Sequence, residues 1–345
     1  MKSSMRLARP RAATVSISVI AALALTTGIA APSVGAARTA ATAKPAAAVQ
    51  NVCKKSAIDV PACGVLWGDF TPSENYSSLE ASMGRHFDVV KDYMDWKAGV
   101  TFPSAKAQAL AVGGARTLYF SWNAIDYTTR AKISYQSIAN GNWDSSVILP
   151  EARALIAFHQ KVFLDFNHEF DNKAQATGQG TPAQYVAAYR HIHQVFAAAG
   201  VTNVIWVWVS TGFVPHAATI AAGYPGASFV DWVGYDPYNW AACHSAGWQT
   251  PQQVFQPFYN WVQTQPTMAA KPLMLTEYAS APGSAVQAWY SGVPAALQQL
   301  PKIKAVLQWN WMTSSVCDFR LTSSAAALAG FKTASNNAYI TGAAG

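Results

Sequence analysis

Short apolar runs alternate along the chain with longer stretches whose apolar residues recur every three or four positions. The runs cover residues 64–68, 87–90, 117–122, 162–166, 204–209, 230–235, 273–276 and 303–309. Their length and near-continuous hydrophobicity predict strands buried on both faces of a parallel sheet. Between them, helical periodicity covers residues 75–85, 144–159, 181–200, 251–264, 284–299 and 323–334. Thr181-Pro182 is a strong helix start, with Thr at the N-cap and Pro in the first turn, and Gly200 ends that helix. Eight strands, each followed by a helix or by a loop long enough to hold one, predict an α/β fold, a single (β/α)8 TIM barrel. The second strand and the fifth helix carry the least regular patterns. An open doubly wound sheet is the alternative, but no Gly-x-Gly-x-x-Gly follows the first strand.

Composition changes the picture mainly at the N-terminus. Lys2, Arg6, Arg9 and Arg11 precede an apolar run from Ala12 to Ala31, and Val34 and Ala36 sit where a signal peptidase would cut. Residues 1–36 therefore read as a signal peptide, residues 37–50 as an Ala-rich linker and residues 51–345 as the barrel domain. Export leads to an expectation of a secreted, extracellular protein with no membrane contact after cleavage. The formal net charge of +7 belongs largely to the leader. No basic run remains beyond it, which argues against nucleic-acid binding.

Four cysteines, Cys53, Cys63, Cys243 and Cys317, allow three disulfide connectivities in an exported chain. Cys53 with Cys63 closes a short loop before the domain, which leaves Cys243 with Cys317, both after predicted strands. No C-x-x-C pair occurs, so a zinc site has little support.

The active end of such a barrel lies at the C-terminal ends of its strands. The fourth strand runs into Asn167-His168-Glu169, the sixth into Asp236-Pro237-Tyr238 and the seventh into Thr276-Glu277. Strands four and seven stand on opposite sides of an eight-stranded barrel, so Glu169 and Glu277 can face each other across its mouth. Glycosidic cleavage needs two such carboxyls, one to protonate the leaving oxygen and one to attack the anomeric carbon or activate water. Asp236 could orient a neighbour or bind a sugar hydroxyl, and Tyr238 could donate to an ionised nucleophile. Trp122 and Trp309, with Trp240, Trp248 and Trp311, fall at or after strand ends, where rings can stack on sugars. Other hydrolytic chemistries fit poorly. Asn172 stands where a zinc protease would need its second His, and no Gly-x-Ser-x-Gly is present.

Taken together, Asn167-His168-Glu169-Phe170-Asp171, Asn203 to Trp208, Val230 to Tyr238 and Lys271 to Glu277, in this order and spacing, resemble glycoside hydrolase family 26, best known for β-mannanases. The resemblance implies a retaining endo-β-glycanase with Glu169 as acid/base and Glu277 as nucleophile. It gives His168, Tyr238 and Trp309 places around the cleavage site. It implies a polysaccharide substrate, mannan first, with mixed-linkage β-glucan and β-xylan next, and no cofactor. We expect a monomer. Five residues at three sites depart from the family pattern. Asp165 replaces an Arg four residues before the acid/base, Phe170-Asp171 replaces Met-Asn, and Ser210-Thr211 replaces Pro-Asn. A catalytically silent sugar-binding barrel and a transglycosidase are the rival readings.

Overall fold

The computed structural model describes residues 53–72, 75–112 and 116–341. The expected signal peptide (1–36) and linker (37–50) lie outside these residues. Eight parallel strands form a closed ring: β1 (Leu66–Phe70), β2 (Val89–Met94), β3 (Thr117–Trp122), β4 (Val162–Phe166), β5 (Val204–Ser210), β6 (Trp232–Tyr235), β7 (Leu273–Ser280) and β8 (Ile303–Trp309). Each strand bonds to the next, and β8 returns to β1 with Leu66 opposite Ala305 and Phe70 opposite Trp309. The ring is the (β/α)8 barrel expected from the alternating pattern. A two-residue strand, Tyr238–Asn239, adds to the far end of β7 opposite Ala279 and Ser280.

Period-two alternation sorts the side chains into two cores. Leu66, Val89, Tyr119, Phe163, Ile205, Val207, Trp232, Met274, Ala305 and Leu307 fill the barrel interior. Their neighbours, including Trp67, Val90, Phe120, Leu164, Trp208 and Val233, face the surrounding helices. Burying each large apolar side chain contributes roughly 1.5–3 kcal/mol before entropy is counted. The interior is narrow. A Cβ on Gly234 would come within 2.7 Å of the Thr276 methyl, so glycine here leaves room for the residue below the seventh strand's end.

Helix starts follow their sequence signals. Thr181 and Thr250 each open a helix, Pro182–Ala198 and Pro251–Gln263, with a full capping box closed by Gln184 and Gln253. Gly200 takes the left-handed conformation (φ 84°) just past the first of these. The structure differs from the pattern in several places. β2 continues past Val90 to Met94. The helix expected from residue 144 begins as a π-turn, Asp144–Ile148, before its α portion, Leu149–Phe158. The fifth crossover holds two 3-10 turns, Val214–His216 and Ala227–Phe229, and a short helix, Ala217–Ala222. Helices Ala105–Ala111 and Tyr135–Ala139 have no counterpart in the periodicity reading. Both disulfides form as paired in the sequence, Cys53–Cys63 and Cys243–Cys317.

Candidate active site

Local backbone irregularities deliver both glutamates. After β4, Asn167 and Glu169 adopt left-handed conformations (φ 50° and 54°), which cost a non-glycine residue about 1–2 kcal/mol each. Buried contacts hold them there. The Asn167 amide donates to the Tyr135 hydroxyl at 2.7 Å and its oxygen accepts from Ala124 N at 2.9 Å. Beyond Glu169, Phe170 stacks on Tyr185 with centroids 4.3 Å apart, and Asp171 accepts from Thr211 N at 2.9 Å. In β7, three steps from Leu275 to Tyr278 match only two on β8, from Val306 to Gln308. This is a β-bulge. Leu275 and Tyr278 both pack outward against the helices, so both Thr276 and Glu277 turn to the inside. Without the extra residue, strict alternation would send Glu277 into the helix layer.

Glu169 and Glu277 line one open cleft of about 660 Å³ at the C-terminal mouth, with Phe70, Tyr93, Asn123, His168, Trp309 and Trp311 among the other walls. Four side chains surround the Glu277 carboxylate. Lys91 Nζ donates to Oε1 at 3.1 Å, the Tyr93 hydroxyl donates to the same oxygen, the Tyr238 hydroxyl donates to Oε2, and His168 Nε2 stands 3.8 Å from Oε1. Burial alone would raise the pKa of Glu277. Lys91 first, then the two tyrosine hydroxyls, outweigh it and hold the group below the usual glutamate value. Glu169 has the opposite environment. Burial, reinforced by the negative charge of Glu277, pushes its carboxyl up to about 8, although Asn172 Nδ2 donates to its Oε2 at 3.0 Å. At neutral pH one carboxyl is therefore ionised and the other carries a proton.

His168 is buried, which lowers its pKa to about 4 and keeps the ring neutral. The Ser121 hydroxyl donates to Asp165 Oδ1 at 3.0 Å and lies 2.8 Å from His168 Nδ1, and Asn123 Oδ1 is 2.9 Å from the same nitrogen. With the hydroxyl proton used on Asp165, both oxygens accept from Nδ1–H, so Nε2 presents its lone pair to the cleft. Asp165 is pushed up to about 6 by burial, against the pull of Lys91.

The structure brings together Glu169, Glu277, His168, Tyr238 and Trp309, as the sequence suggested. Two expected residues lie elsewhere. Trp122 does not reach the cleft. Alternation along β3 points Tyr119 and Ser121 inward, so Trp122 faces the helices, where it stacks on Trp96 (centroids 4.4 Å apart) and donates to Asp95 O. Asp236 is buried beneath the cleft, where it accepts from the Thr276 hydroxyl. It is not among the residues that line the cleft. Trp240 stacks on Tyr238 at the rim, and Trp248 and Trp311 are partly exposed there. The sequence reading missed Lys91 and Tyr93. Their signal was register: both share parity with the inward-facing Val89.

Similarity to known proteins agrees with this geometry. Residues 167–271 match the sequence profile described as glycosyl hydrolase family 26. The match contains Glu169 and stops six residues before Glu277. Endoglucanase H of Acetivibrio thermocellus is 28% identical over 280 residues, covering 78% of this chain. The chain spans about a third of that relative's length, 30% of it. Among solved structures, a family 26 β-mannanase from Bacteroides ovatus superposes with a TM-score of 0.62 at 15% identity, covering 81% of this chain and 90% of that one. A modular endo-β-1,4-mannanase from Cellulomonas fimi gives 0.60 at 16% identity, covering 80% and 71%. The barrel is thus shared with these enzymes, and the resemblance read from the strand-end residues holds: this chain is similar to glycoside hydrolase family 26.

Proposed function

We propose that the protein is an exported endo-β-glycanase that hydrolyses a β-linked polysaccharide with retention of configuration. The observation that carries this reading is the split between two carboxyls in one cleft: Glu277 held ionised by Lys91, Tyr93 and Tyr238, and Glu169 held protonated by burial and by Glu277. In this reading Glu169 delivers its proton to the departing glycosidic oxygen while Glu277 attacks the anomeric carbon and forms a glycosyl-enzyme. Glu169, now ionised, takes a proton from the water that hydrolyses that intermediate. The two tyrosines stay protonated because burial and the Glu277 charge raise their pKa values far above neutrality. They can therefore donate throughout the cycle.

An extended substrate is supported by the rim. Trp240, Trp248, Trp311 and Phe213 are exposed or partly exposed, and all lie on loops that follow strands at the active end. Export is supported by the leader pattern and by the two disulfides. Mannan is the polymer to which the family resemblance points. A β-glucan is the second reading, favoured by the endoglucanase named above and by the departures at Asp165, Phe170-Asp171 and Ser210-Thr211. Reducing-sugar release from mannan, mixed-linkage β-glucan and β-xylan, with proton NMR of the first-formed anomer, tests the proposal. We expect release from one of these polymers with the β-anomer formed first. No release from any of them, or the α-anomer first, refutes it.

A further inference from the structure

We propose that Lys91 is a positioning residue for the reaction: one buried ammonium on β2 aims the Glu277 carboxylate and keeps it the charged member of a group of competing acids. The inference rests on the reading of Glu277 as nucleophile. A lysine inside a barrel strand is costly unless paired, and this one has a side chain with no solvent exposure. Its ammonium donates to Glu277 Oε1 at 3.1 Å and to Thr276 O at 3.3 Å. It also lies over the Tyr93 ring, 4.6 Å from the centroid, and 5.2 Å from that of Tyr119. The two bonds come from consecutive residues of the bulge, so the ammonium fixes the backbone segment that turns Glu277 inward as well as the carboxylate itself.

Charge balance explains why this buried cation matters. Glu277 is faced by Lys91 and Tyr93 from β2, by His168 and Glu169 from the end of β4, and by Asp236 and Tyr238 from the end of β6, with Asp165 and Tyr119 deeper in the same layer. His168 is neutral. Four carboxyls therefore lie around one buried ammonium. Among the described residues no other lysine or arginine bonds Glu277, and of the four acids only Glu277 has Lys91 within hydrogen-bonding distance. Asp165 Oδ2 and Asp236 Oδ2 are buried without a hydrogen-bond partner. Burial raises the pKa of both acids, Asp165 to about 6 and Asp236 well above the ordinary aspartate value, so both hold their charge less firmly than Glu277. Replacing the ammonium by a neutral group removes both the aim and the bias, and protons redistribute onto Glu277 at higher pH.

The test compares Lys91→Met, Lys91→Arg and Glu277→Gln with the wild-type chain on the polysaccharide it hydrolyses. For Lys91→Met we expect kcat to fall by about 100-fold or more, KM to change by less than about threefold, and the acidic limb of kcat/KM to move up by about one pH unit or more. Lys91→Arg should hold the acidic limb within about half a unit of wild type. A Lys91→Met enzyme with wild-type kcat and acidic limb, beside an inactive Glu277→Gln, overturns the inference and leaves the nucleophile reading standing. An active Glu277→Gln overturns that reading itself. Should Lys91→Met fail to fold, a carbon-13 titration of glutamate carboxyls in the intact wild-type protein decides the matter. Glu277 titrating below the ordinary glutamate range supports the inference, and Glu277 titrating above it ends it.

Discussion

The barrel interior has two storeys built from the same strands, and they could hardly differ more. The lower storey is apolar: Val89, Phe163, Val207, Trp232 and Met274 belong to one buried cluster that Ile58 and Val60 pack against. One alternation step higher stand Lys91, Asp165 and Thr276, with Asp236 two steps above Trp232 and Glu277 added by the bulge. The lower storey holds the strands in register through non-directional packing. The upper one spends part of that stability on buried charge, left-handed backbone at Asn167 and Glu169, and orphaned carboxylate oxygens. Substitutions should sort by storey. Those above ought to change rate and pH dependence, and those below ought to change stability alone.

The largest effect expected is that of Glu277→Ala, a loss of about 10⁴-fold or more in kcat with the fold intact by circular dichroism. Near-wild-type hydrolysis by this variant would collapse the distinction between the storeys. Glu169→Gln comes next, with kcat on polysaccharide lower by about 10²–10⁴-fold and the loss much smaller on an aryl glycoside whose leaving group needs no proton. The pH profile sharpens this contrast. The proposed mechanism requires Glu277 ionised and Glu169 protonated. The acidic limb should therefore fall below the usual glutamate value, because Glu277 is lowered, and the alkaline limb near 8, because Glu169 is raised to about 8. The alkaline limb should vanish in Glu169→Gln.

Tyr238→Phe removes one hydrogen bond to a charged oxygen, worth roughly 1.5–3 kcal/mol. A drop in kcat of about 10–100-fold with a raised acidic limb is expected, and an unchanged profile would deny Tyr238 its place. Trp311→Ala, at the rim, should raise KM on polymer by only about three- to tenfold at constant kcat. At the other end of the series is Phe163→Ala in the lower storey. It should lower unfolding free energy by about 3–5 kcal/mol in denaturant titration while leaving kcat of the folded protein unchanged.

The same two storeys explain what the sequence could and could not reveal. The lower one writes itself as apolar runs, and all eight strands were legible from them. The second strand was hard to delimit because Lys91 and Asp92 interrupt its run after Val90, and the charge that blurred the strand is the charge that binds Glu277. Its place at a strand end alone points Trp122 to the cleft. Counting alternation from Tyr119 would have placed it among the helices. The inward turn of Glu277 depends on a bulge defined by pairing with β8, a relation between distant segments that no local pattern carries. Asp236 shows the reverse case: it keeps strict alternation and lies buried against Thr276.

Covalent trapping tests the central claim most directly. Incubation with a 2-deoxy-2-fluoro glycoside bearing an activated leaving group, followed by peptide mass spectrometry, reads out which side chain attacks the anomeric carbon. The account predicts one sugar per protein, attached to the peptide at Glu277, and no label in Glu277→Gln. A label on Glu169, or turnover of the same compound with inversion and no covalent species, would contradict it.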